Sequence, residues 1–147
     1  MSFRFRAVAG VGFVCAMWAV SLMAQGTETF KARLTAVPAD ARTRPNLTGI
    51  GTVTATLTGT KVTFSGSFDG LKTPVTTANV HAAVAPMAGV RGPAIGDITV
   101  PKAVSGAISG SMELNEKQLE TLRKGGLYVE IHTEGAPEGA LWGWLLK

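Results

Sequence analysis

Reactive sulfur is almost absent from this sequence. Its one cysteine, Cys15, lies inside an apolar stretch near the amino terminus, so the rest of the chain has no thiol nucleophile, no thiolate ligand and no disulfide. Histidine is nearly as scarce, with two in 147 residues. Imidazole is the side chain most ready to bind a metal or exchange a proton near neutral pH, so His81 and His132 bound the chemistry on offer. There is no run of like charge. The formal net charge is +4, and the closest basic groupings are pairs such as Arg42/Arg44 and Arg123/Lys124. Glu116 and Glu120 offset the second pair. A nucleic-acid surface needs clustered basic and aromatic residues, and this spread reads instead as a solvated exterior.

Long apolar runs are missing as well, with one exception. Arg4 and Arg6 precede Ala7 to Leu22, and Met23-Ala24 leads into the polar Gln25-Gly26-Thr27. That order reads as an export signal, residues 1–24, with cleavage after Ala24. The run of about 16 residues falls short of the ~20 that a spanning helix prefers. Cys15 follows Gly12-Phe13-Val14 in mid-run, which is no lipidation context. The remainder, residues 25–147, has single-domain length and no membrane span. It is large enough to bury a core of its own, and it is expected to be periplasmic or secreted.

What is present is alternation. Phe30, Ala32 and Leu34 alternate with Lys31, Arg33 and Thr35, as expected for a strand with one buried face. Gly51–Leu57 and Lys61–Phe68 repeat the pattern around a tight Thr58-Gly59-Thr60 connection. Further strands are expected over Thr77–Val84, Ile95–Val100, Ala107–Leu114, Leu127–Thr133 and Gly139–Leu146. Val37–Asn46 and Pro86–Pro93 read as loops. Residues 115–125 carry the one helix signal: Asn115 as cap, Gln118 at the capping-box position, Leu119 and Leu122 facing inward, and Gly125 as the stop. About eight short strands with one short helix indicate an all-β fold, an antiparallel β-sandwich or Greek-key barrel. Val53, Leu57, Phe64, Val80, Val129, Ile131 and Leu141 should be buried.

Residues two apart in a strand share a face. Leu127, Val129 and Ile131 are then the inward set, leaving Tyr128, Glu130 and His132 on the polar face. Val80 and Ala82 likewise leave Asn79 and His81 facing out. If the two strands meet, Asn79, His81, Glu130 and His132 form one polar cluster. Two imidazoles and a carboxylate can hold a divalent transition metal, copper or zinc, with water in the open position. The competing reading has each histidine simply bonding backbone. Trp142 and Trp144 share a face opposite Leu141 and Leu145, either as packing or as a recognition surface for a partner or carbohydrate. Hydrolase chemistry is not indicated, because no serine stands in a Gly-x-Ser-x-Gly elbow. The glycines of Gly89–Gly96 do not lead into a helix as a phosphate loop would.

These motifs carry a resemblance. Ala78-Asn79-Val80-His81, then Gly92-Pro93-Ala94-Ile95-Gly96, then Tyr128-Val129-Glu130-Ile131-His132-Thr133, then the segment from Pro137 to Leu145, are similar in order to the CHRD domain. That module is repeated in chordin and occurs singly in exported bacterial proteins. The resemblance covers about residues 29–147. It implies a barrel like that of copper–zinc superoxide dismutase, and an exported, non-enzymatic domain that binds an extracytoplasmic ligand or protein. It would place His81 and His132 where the family has histidines. Two departures stand out. Asn79 replaces the first histidine of a His-x-His pair, and Ala140-Leu141-Trp142-Gly143 replaces Glu-Ile-Arg-Gly, removing a carboxylate and a guanidinium. The expected binding residues are Asn79, His81, Tyr128, Glu130, His132, Trp142 and Trp144. His81 and His132 would serve any metal.

Overall fold

The computed structural model describes residues 26–42, 44–84 and 91–147. The expected export signal and its cleavage point lie outside these residues, as does most of the loop before Arg91. Eight strands are present: β1 (Thr27–Ala36), β2 (Ile50–Thr58), β3 (Lys61–Asp69), β4 (Val75–Ala82), β5 (Ala94–Asp97), β6 (Gly106–Glu113), β7 (Leu127–Thr133) and β8 (Ala136–Trp144). Among the described residues one α-helix, α1 (Glu116–Arg123), sits between β6 and β7, and a short 3-10 turn spans Arg44–Asn46. The sheet order is β5-β4-β7-β8-β1-β2-β3-β6, and every pairing is antiparallel. Just past β5, Thr99 bridges to Ser109 of β6. That bridge brings the two ends of the sheet together, so the architecture is a nearly closed antiparallel barrel, as the alternation indicated.

The local rules act as the sequence suggests. Asn115 accepts from the Gln118 amide while the Gln118 side chain accepts from the Asn115 amide, a complete capping box. This satisfies two amide donors at the start of α1. Leu122 is buried, while Leu119 is only half-buried against the core. Phe30, Leu34, Val53, Leu57, Phe64, Val80, Val129, Ile131 and Leu141 fill the barrel interior with almost no solvent exposure. Threonine and serine occupy the alternate positions of β2 and β3, where a branched or small polar residue suits a half-wet strand.

β7 departs from alternation. Six of its seven residues are buried, and only His132 is half-exposed. Tyr128 and Glu130, expected on an outward polar face, do point away from the barrel core but are shut off from solvent. The cause is a second layer. The segment Arg91-Gly92-Pro93 folds across the outer face from one side, where Gly92 hydrogen-bonds to Tyr128. Trp142 and Trp144 pack against Tyr128 from the other.

Candidate metal centre

β4 and β7 pair so that Asn79 faces Glu130, Thr77 faces His132 and His81 faces Tyr128. Side chains of like parity project to one face, so His81, Glu130 and His132 share the outer surface with Glu130 in the middle. Long side chains reach across such diagonals. The ligand-capable atoms of these three residues lie within 4.8 Å of one another.

Both imidazoles are fixed by their far nitrogens. His81 Nδ1 lies 2.9 Å from the Gly92 carbonyl, and His132 Nδ1 lies 2.9 Å from the Pro137 carbonyl. A carbonyl only accepts, so each Nδ1 carries the proton and donates it. The neutral ring then presents an Nε2 lone pair. This is the arrangement in which metal-binding histidines are held, the backbone oxygen setting tautomer and ring orientation. His81 Nε2 and Glu130 Oε1 are buried without a hydrogen-bond partner among the described residues. His81 Nε2 also faces Glu130 Oε2 at 3.7 Å, so two electron-rich atoms confront each other. Such a pair is stabilised by a cation between them, and the unpartnered His81 Nε2 calls for an explanation of this kind.

Backbone features make room for the carboxylate. Gly139 adopts φ +119°, and a Cβ there would run into Glu130 Oε1. Gly92 approaches β4 so closely that a Cβ would overlap the Ala82 carbonyl. That close approach lets its own carbonyl reach His81 and its N–H donate to Tyr128 Oη at 3.0 Å. The Tyr128 ring stacks on His81 with centroids 4.9 Å apart and planes 14° apart. Burial pushes the Tyr128 phenol up from its usual range, so it stays protonated beside the site.

Arg91 supplies the nearby cation. Its Nη2 stands 3.2 Å from Glu130 Oε1 without hydrogen-bond alignment, and its Nη1 donates to the Glu138 carbonyl. A buried carboxylate needs such a partner. Glu130 and Arg91 thus bring a carboxylate and a guanidinium beside His81. The sequence marked the Glu130 position but gave no signal for Arg91, which stands in a loop between two glycines.

The remaining expected residues divide. Asn79 turns away from the triad and donates to Asp97 Oδ1 across β4 and β5. It therefore leaves the cluster in which the sequence placed it, because a carboxylate on the neighbouring strand offers its amide a stronger partner. Trp142 and Trp144 are half-buried. They lie outside the barrel interior, with Tyr128 edge-on to Trp142 at 5.9 Å and tilted against Trp144 at 4.8 Å. They are packing on one side and surface on the other.

Two imidazole nitrogens and a carboxylate oxygen make a donor set suited to zinc or copper(II). Two ligands on one tetrahedral ion sit about 3.5 Å apart, so closing on an ion draws the widest pair in by about 1 Å. His132 is half-buried, whereas Glu130 is fully buried. No helix among the described residues is long and apolar enough to cross a membrane. None of the curated proteins and none of the solved structures matches the chain significantly. The family model for the CHRD domain matches residues 30–145, from the core phenylalanine of β1 through the last strand and across all three ligand-capable side chains. The chain belongs to the CHRD domain family.

Proposed function

We propose that this chain is an exported CHRD domain that works by binding rather than catalysis, and that it holds one divalent transition-metal ion, zinc or copper(II). His81 Nε2, His132 Nε2 and the Glu130 carboxylate are the ligands. The observation that carries this reading is the convergence of those three groups within 4.8 Å while both Nδ1 atoms are committed to backbone carbonyls. Histidines placed only for structure have no reason to aim their remaining lone pairs at a buried carboxylate. Export is supported by Arg4, Arg6 and the apolar run that follows them.

Three protein ligands leave a coordination position open to water or to a donor from a partner. Arg91 stands beside Glu130 as its counter-charge, 3.2 Å from Oε1, and leaves Oε2 facing His81. The ion replaces the unfavourable contact between Nε2 and Oε2 with two bonds, so binding should stiffen the β4–β7 face. X-ray absorption of the zinc-loaded chain tests the reading. Expected are two nitrogen ligands and one protein oxygen at about 2.0–2.2 Å, with the imidazole signature halved in His132→Ala. A first shell of oxygens alone would contradict it.

A further inference from the structure

A second surface lies beyond the tryptophans, where β8 meets β1. The strands pair at Thr35–Trp142 and again at the Lys31–Leu146 bridge. Between these points lies a groove of about 520 Å³ lined by Lys31, Arg33, Thr35, Trp142, Trp144 and Leu146. Lys31, Arg33 and Thr35 are exposed, and the two indoles are half-buried. The rings stand 5.9 Å apart with planes inclined at 57°, and Tyr128 backs both of them.

The groove is chemically one-sided. No carboxylate lines it. Among the described residues, neither Lys31 nor Arg33 has an ion-pair partner, although Glu28 on the same strand is already held by Arg123 and Lys147. Neither indole N–H has an acceptor among the described residues. The surface therefore combines two aromatic rings with two uncompensated cations and two free N–H donors. An anionic ligand with a flat, C–H-rich face satisfies all three.

We propose that this groove binds an acidic carbohydrate, a chain of uronic-acid sugars. The apolar face of a pyranose ring packs on an indole, and the indole N–H meets a hydroxyl. A sugar carboxylate accepts two parallel bonds from the Arg33 guanidinium, with Lys31 as the adjoining point charge. A neutral sugar leaves both cations without a counter-charge. A nucleic acid draws its affinity from many phosphates along a basic track, and this groove offers two cations. The site shares Tyr128 as backing with the metal centre but uses none of its ligands, so it does not depend on that reading.

Calorimetric titration of the full chain, treated with chelator, with oligogalacturonate tests the proposal. Saturable binding that weakens as salt is raised is expected. Trp144→Ala should lower affinity about tenfold, the effect of losing ~1.4 kcal/mol of contact, whereas Trp144→Phe keeps a ring and most of the binding. Lys31→Glu with Arg33→Glu, both at exposed positions, should abolish binding while leaving zinc stoichiometry unchanged. Three results would each overturn the proposal: no binding, equal affinity for neutral cello-oligosaccharides, or tighter binding of a single-stranded DNA oligomer.

Discussion

The two halves of the barrel use the same strand pattern to different ends. In β2 and β3 the inward residues are buried while the outward Thr52, Ser65 and Ser67 are exposed. In β7 the inward Leu127, Val129 and Ile131 are buried, and so are the outward Tyr128 and Glu130. A strand covered on one face needs only a fold to explain it. A strand covered on both faces, with a carboxylate in the second layer, needs a reason for burying that charge. The outer layer over β7 is where the two histidines, the arginine and the aromatic rings collect. The outer face of β2 and β3 gathers mainly hydroxyls, with Ile50, Lys61 and Asp69 exposed at its ends. The proposed metal site lies on the half whose outer face is itself covered.

The largest effect that sharpens this contrast comes from Tyr128→Ala. Although it points away from the barrel core, its loss should cost about 3–5 kcal/mol, as truncation of a core aromatic does, measured by urea unfolding. A cost near zero would mean that the second layer contributes nothing to the fold. Glu130→Gln should behave differently. It removes a buried charge whose partner Arg91 is 44% exposed and is able to rehydrate, so the metal-free chain should lose no stability while metal binding falls away. A loss above about 2 kcal/mol, the range for leaving a buried polar group unsatisfied, would make Glu130 a structural residue instead.

The inward half of this pattern was legible in the residues. Alternation located all eight strands and the core positions, because burial on one face imposes a period of two. Leu127–Thr133 was bounded to the residue, and Asn115 with Gln118 marked the helix start. Strand ends elsewhere moved by a few residues, as for Val75–Ala82 against the expected Thr77–Val84. The second layer was not legible, because periodicity reports which face a side chain takes and not what lies over it. Glu130 therefore read as polar and outward. Arg91 and Gly92 read as loop, although the Gly92 carbonyl orients His81. Asn79 has the right parity for the cluster, and only the pairing of β4 with β5 shows Asp97 drawing it away.

A smaller effect separates the poles of the barrel by pH. Glu28 is held by Arg123 at 2.7 Å and Lys147 at 2.7 Å. Its bond to Arg123 above all, then that to Lys147, lowers its carboxyl from the usual 4.5 to about 2. A depressed carboxylate contributes stability above its unfolded value and loses it as pH falls through the folded one. Acid unfolding should therefore show a Glu28-dependent component between about pH 4.5 and 2, absent from Glu28→Gln. Identical acid profiles would show that the pair is fully screened by solvent. The smallest effect belongs to Ser65→Ala on the outer face of β3. It should stay within about 0.5 kcal/mol of the parent, and a larger loss would blur the distinction between the two halves.

Calorimetric titration of zinc into the full chain, beside a variant carrying His81→Ala, Glu130→Gln and His132→Ala, tests the central claim most directly. The expected result is one ion per chain for the parent and none for the variant, with affinity falling as the imidazoles are protonated. No binding by the parent, or the same stoichiometry in both proteins, would contradict it.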